Sequence, residues 1–180
     1  MTLLHFADCV RKQEGAVAAR PIYARSLAIM RKTSDPFYPY LAIAQSKQAV
    51  ADRLFSLASK ALEEKLGPAQ WRVSTCQLEW AVACARQNRK EQAEDLLQRA
   101  LAGFDKTLGP DHPTVLIGQA RYWTVAGDRE KALQYLTRSV QLDQVNYDIV
   151  DNPDLAALKS IPEYRSIVAT VTKCAAAIGP

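Results

Sequence analysis

The sequence predicts an all-α chain built as a stack of antiparallel helical hairpins, and three observations predict it. Good helix formers fill most of the 180 residues, and seven glycines are too few for a fold rich in tight hairpin turns. Leu66-Gly67-Pro68 returns 42 residues on as Leu108-Gly109-Pro110, and Ala51, Leu54 and Ala58 before the first match Ala93, Leu96 and Ala100 before the second. Alanines also recur in pairs of constant spacing, Ala7 with Ala19, Ala81 with Ala93 and Ala120 with Ala132. Each second alanine is followed seven positions later by a small residue, Ser26, Ala100 or Ser139.

The paired alanines have a packing reason. Two antiparallel helices approach to about 8–10 Å only where a side chain at the crossing is small, and larger apolar residues then fill the flanks. In the first hairpin, residues 2–32, Phe6, Val10, Ile22, Tyr23 and Leu27 take that part. In the second, residues 70–107, it falls to Trp80, Cys84, Leu96, Leu97 and Leu101, and in the third, residues 113–142, to Leu116, Trp123, Tyr135 and Leu136. Spacings of three and four put each set on one stripe of its helix.

Within each hairpin the chain reverses at a position suited to left-handed backbone, at Glu14-Gly15, Asn88 and Gly127-Asp128. Between hairpins the turn Leu108-Gly-Pro-Asp-His-Pro113 stops one helix at Gly109 and starts the next at Pro113, whose missing amide hydrogen costs nothing in a first helical turn. Pro21 falls inside a helix, removes one backbone donor and bends the early turns.

The unit led by Ala51 is irregular, because the position twelve residues earlier is Pro39 in Asp35-Pro-Phe-Tyr-Pro39. Its first helix is cut short, which predicts either one long helix over about residues 40–66 or a cramped hairpin broken near Gln45 to Lys47. After Leu142 the repeat fades into residues 143–180, where helices begin at Asn152-Pro153-Asp154-Leu155 and at Ile161-Pro162-Glu163-Tyr164. A stack needs such an element to cover its last apolar face. No comparable cap precedes Thr2 to Gln13, so the expectation is that this end packs on a partner or a second copy, or that the chain is the tail of something longer.

The coupled small positions and the LGPDHP turn resemble tetratricopeptide repeats of the kinesin light chain type over about residues 2–142. The segment from 143 resembles the closing cap of bacterial tetratricopeptide arrays, including those attached to signalling kinases. The resemblance implies a right-handed superhelix that works as a protein-binding scaffold, with an extended peptide on the concave face, or else a regulatory tail of a larger protein such as a bacterial Ser/Thr kinase. In such a stack the first helix of each unit lines the inner curve. The candidate contacts are then His5, Asp8, Arg11 and Lys12, followed by Thr75, Glu79, Val82 and Arg86, and by Thr114, Arg121 and Thr124. Basic residues outnumber acidic ones in this set, which points to an extended peptide carrying acidic residues or a free carboxyl end. Relatives of the kinesin light chain type carry asparagines on the groove helices where this chain has Glu79 and Gly118.

Little else in the sequence carries chemistry. The net charge of +4 is spread over 23 basic and 19 acidic residues with no basic run longer than two, the pattern of solvated faces and not of a nucleic-acid surface. Cys9, Cys76, Cys84 and Cys174 lack metal or disulfide spacing, and Cys76 and Cys84 are separated by about 12 Å of helical rise. His5 and Cys9 share a helix face, yet no orienting group or oxyanion site accompanies them, and His112 reads as part of its turn. The sequence therefore predicts a reduced, cytoplasmic, non-enzymatic protein with no metal, no cofactor, no membrane span and a protein or peptide as partner.

Overall fold

The computed structural model describes residues 48–67, 70–142 and 148–178, and among them every regular element is a helix. The hairpin over residues 2–32, its candidate contacts His5, Asp8, Arg11 and Lys12, and the start of the long helix near residue 40 lie outside the described residues.

Helix α1, Gln48–Leu66, is the part of the irregular unit that is described. It ends at Gly67, whose φ of +84° is open to glycine and strained for other residues, and whose N–H donates to the Glu63 carbonyl at 2.9 Å. Helix α2, Trp71–Arg86, turns at Asn88 (φ +59°) into α3, Lys90–Asp105. Asn88 donates to the Ala85 carbonyl at 2.9 Å and Arg89 to the Cys84 carbonyl at 3.0 Å, so the reversal satisfies the last carbonyls of α2. The position expected to tolerate left-handed geometry adopts it.

Helix α3 closes on Gly109 (φ +81°), where Leu108 and Gly109 both donate to the Phe104 carbonyl, at 2.8 and 2.9 Å. Pro113 opens α4, Pro113–Ala126, and the His112 Nδ1 accepts from the Thr114 amide at 3.2 Å. His112 is thus the N-cap of α4. Gly127 (φ +92°) ends α4, and Asp128 caps α5, Arg129–Gln141, by accepting from the Lys131 amide at 3.0 Å. That amide, together with the Lys131 ammonium, holds the Asp128 carboxyl below its ordinary range.

Packing follows the alanine register. Helix α2 pairs with α3 and α4 with α5, and the two first helices, α2 and α4, lie side by side. Ala81, Ala93 and Ala100 are fully buried in one core together with Leu97 and Phe104, while Ala120 and Ala132 are fully buried in a second with Leu136. Trp123 packs against both. Two glycines mark close approaches that the alanine pattern did not include. A Cβ on Gly103 would stand 2.1 Å from the Ser74 Oγ, and one on Gly118 would stand 2.2 Å from Leu78 Cδ2.

Helix α1 is fastened to the array by a clamp at the α2–α3 turn. The Asp52 carboxylate accepts from the Trp80 indole N–H at 2.8 Å and from two nitrogens of Arg89, each at 2.8 Å. Phe55 stacks on Trp80 at 6.0 Å between ring centres, and the Cys76 thiol lies 3.8 Å from the Phe55 carbonyl. Burial pushes the Asp52 carboxyl up, but the Arg89 and Trp80 hydrogen bonds and the Arg89 charge more than offset it, and Asp52 sits below its ordinary value.

Beyond α5 come the short α6, Asp148–Asp151, a 3-10 segment, Pro153–Leu158, and α7, Pro162–Ile178. The 3-10 segment packs on α4 and α7 packs on α5, so the closing residues continue both rows of the stack as a shortened hairpin. Ile149, Leu155 and Leu158 are fully buried in the second core, and the Tyr164 hydroxyl reaches the Ile149 carbonyl at 2.5 Å.

Candidate functional site

The row formed by α2, α4 and the 3-10 segment carries every described candidate contact, and its centre is a charge network. Arg121 on α4 is bidentate to Glu79 on α2, with 2.8 Å from Nη2 to Oε2, and its Nε donates to Asp154 Oδ2 at 3.0 Å. Arg86 on α2 binds the other oxygen of the same Asp154 carboxylate through Nη2. Two guanidinium groups from successive first helices therefore converge on one carboxylate of the closing segment.

Local sequence explains each placement. Glu79 lies two residues before Ala81, and by the alanine register its counterpart in the next unit is Gly118, one turn before Arg121. The long arginine side chain spans that offset, and Gly118 leaves room for Leu78 where the two helices meet. Asp154 is held by its own segment: Asn152 caps the 3-10 turn by accepting from the Asp154 amide at 3.0 Å, Pro153 follows with preset φ, and Leu155 and Leu158 anchor the core side.

Exposure separates the candidates. The Glu79 and Asp154 side chains are 4% and 3% exposed, Arg121 is 17% and Arg86 39%. Arg86 is held below its ordinary pKa, first by burial and then by the charge of Arg121, with Glu79 opposing. Thr75 and Thr114 are half-buried, and Thr75 Oγ1 donates back to the Trp71 carbonyl at 3.0 Å. Val82 is buried in the first core, and Thr124 is buried with its hydroxyl donating to the Ala120 carbonyl at 2.7 Å. The structure thus brings Glu79, Arg86 and Arg121 together, turns Val82 and Thr124 inward, and leaves Thr75, Thr114 and the edge of Arg86 for solvent.

The geometry changes the electrostatics expected of this face. Counted as separate surface groups, Arg86 and Arg121 make it basic; counted with Glu79 and Asp154, two positive charges meet two negative ones and the cluster is balanced. Asp154 did not figure among the candidates, because nothing in its own helix-start signal places it 33 positions back along the chain beside Arg121. Among the described residues no group of His, Cys, Asp and Glu is arranged to hold a metal ion, and no helix is long and apolar enough to cross a membrane. Burial pushes the Cys76 and Cys84 thiols up to about 12 and about 11, far from the range of a nucleophilic thiolate at neutral pH.

A tetratricopeptide repeat family model matches residues 78–114, from the middle of α2 through α3 and the Gly-Pro turn to the first turn of α4. This match and the hairpin stack support a tetratricopeptide repeat protein with the architecture of an α-solenoid. Repeats of this kind generally mediate contacts between proteins and are typically non-enzymatic. Comparison with curated proteins gives no match.

Proposed function

We propose that this chain is an interaction scaffold that holds an extended segment of a partner protein along the row of first helices. The observation that carries the reading is that α2 and α4 lie side by side as successive first helices, with Thr75, Thr114 and the outer edge of Arg86 at the surface of one continuous row. A continuous row gives an extended chain several anchor points at the helical repeat distance, which suits peptide recognition better than a single deep pocket does. The LGPDHP turn and the small-residue register support repeats of the kinesin light chain type.

Affinity capture with two charge reversals tests this. Arg86→Glu is expected to lose partners that the wild type retains, while Arg99→Glu, at an arginine 63% exposed on α3 and paired among the described residues within its own helix to Asp95, retains them. An identical partner set from Arg86→Glu and wild type would overturn the reading. A second reading, a regulatory tail of a larger signalling protein such as a bacterial Ser/Thr kinase, draws on the closing hairpin at residues 148–178, which resembles caps attached to such kinases. The size of the native gene product on a denaturing gel, with a kinase assay on it, tests that reading.

A further inference from the structure

The second helices of the stack leave a cleft between them. Helices α2 and α4 lie side by side, whereas α3 and α5 are not packed together in that way, and the gap ends on one stripe of α4, Val115, Leu116 and Gln119. Leu101 on α3 and Tyr135 on α5 form its walls, and Asp105, Asp111 and Arg138 line the same space. Its volume is about 260 Å³. Pockets for whole drug-sized ligands hold roughly 300–1,000 Å³, so this one has the size for a single long side chain. We propose that the cleft is a second docking site and takes one arginine side chain of a partner protein. The guanidinium meets the Gln119 carbonyl oxygen and the unpaired acid beside it, and the apolar stem lies against Leu101 and Leu116. The site is on the side of α3 and α5, and the proposal holds whether or not the α2 and α4 row receives an extended segment.

Three observations bear on it. Gln119 is only 6% exposed, yet among the described residues its side-chain amide has no hydrogen-bond partner. Buried polar groups are nearly always satisfied, and one left open costs about 1–3 kcal/mol. The open space beside Gln119 is the cleft, so the group that completes the amide comes from there. Charge is the second observation. Asp111 gives Oδ1 to Arg138 at 2.6 Å, which sets one acid against the cation that lines the cleft. Asp105 is left over, exposed and without an ion pair among the described residues, so the lining carries one net negative charge. The third is the mixture of surfaces. Val115 and Leu116 are buried and apolar, so an entering head group gives up much of its water. A guanidinium is more weakly hydrated than an ammonium, and its flat fork of donors can serve an amide oxygen and a carboxylate together. Lysine, with a compact and strongly hydrated charge, loses more on entering.

The test uses three short peptides that alternate alanine with arginine, with lysine or with citrulline, the neutral analogue of arginine. Each is titrated into the isotope-labelled full chain and followed by amide chemical shifts. The arginine peptide is expected to move the Gln119 side-chain amide and the backbone amides of Leu101 and Tyr135. It is expected to bind there at least about five-fold more tightly than either of the others, the upper worth of one exposed charge contact. Gln119→Leu is expected to weaken the arginine peptide roughly ten-fold, through the loss of one hydrogen bond to a charged group. Gln119→Glu, nearly the same shape, tightens the arginine peptide and leaves the citrulline peptide unimproved, a response that a merely structural residue would not give. Asp105→Asn, at an exposed position, weakens the arginine peptide about two- to five-fold. No shift at these residues overturns the proposal, as does equal binding of the lysine or the citrulline peptide. If Gln119→Leu does not fold, Gln119→Glu and Asp105→Asn decide, and unchanged binding in both overturns it.

Discussion

Replacing Arg121 by methionine removes a cation that is ion-paired with both Glu79 and Asp154, the buried acids of the α2–α4 row. Methionine keeps the unbranched stem and much of the volume, so the loss is electrostatic more than steric. Asp154 keeps Arg86, but Glu79, 4% exposed, loses the bidentate partner that offsets its desolvation. Removing one member of a buried pair costs about 3–5 kcal/mol, far more than the pair contributes net, because the partner is left charged in a poor environment. The lower end applies here, since the 17% exposure of Arg121 lets water reach the vacated space. For a domain of this size about 3 kcal/mol lowers the melting temperature by roughly 6–12 °C. Urea denaturation followed by circular dichroism measures the loss, and the double variant Arg121→Met with Glu79→Met is expected to recover most of it, since an apolar pair of similar volume replaces a buried ion pair at little cost. A loss below about 1 kcal/mol, the range of an exposed pair, would refute the network as described, as would additive losses in the double variant.

Other consequences follow from the same packing. Asp52→Asn is expected to lower stability by about 1 kcal/mol at neutral pH, after discounting for the partly solvated clamp, and the deficit has a defined pH course. Because the folded-state pKa of Asp52 lies below its ordinary 3.8, its contribution is full above that value and disappears as pH falls through the folded pKa, so wild type and variant converge in acid. Urea midpoints measured from neutral pH down to about 3 check this. Gly118→Asn is expected to destabilise by about 1–3 kcal/mol through the collision with Leu78, and a melting curve within error of wild type contradicts it. Cys76 and Cys84 are expected to resist iodoacetamide at neutral pH in the folded chain and to react after denaturation, as followed by mass spectrometry.

The elements most legible in the sequence are those set by steric necessity within a single hairpin. Ala81 against Ala93 and Ala120 against Ala132 announce themselves because a helix crossing leaves no choice of residue, and Asn88, Gly109 and Gly127 because few residues enter the left-handed region. Pro113 showed where α4 begins. The inner row was legible only as a set of positions. Helical periodicity says that Val82, Glu79 and Arg121 point away from the second helix, but it does not distinguish open groove from the seam between neighbouring first helices, where Val82 lies buried and Glu79 meets Arg121. The offset of one turn between Gly118 and Arg121 held the signal for that pair, an acid and a base within side-chain reach across successive units. Asp154 gave no such signal, since its partners depend on how the closing segment docks, a long-range fact that no local pattern encodes.

The row of α2 and α4 is the surface expected to meet the partner. Amide chemical-shift mapping in the labelled chain, with a partner segment that wild type captures and Arg86→Glu does not, addresses this directly. The expected result is a contiguous set of shifts along α2 and α4 around Thr75, Arg86 and Thr114, with the outer positions Glu91, Arg99 and Gln134 unmoved. Shifts confined to α3 and α5, with α2 and α4 silent, would contradict it.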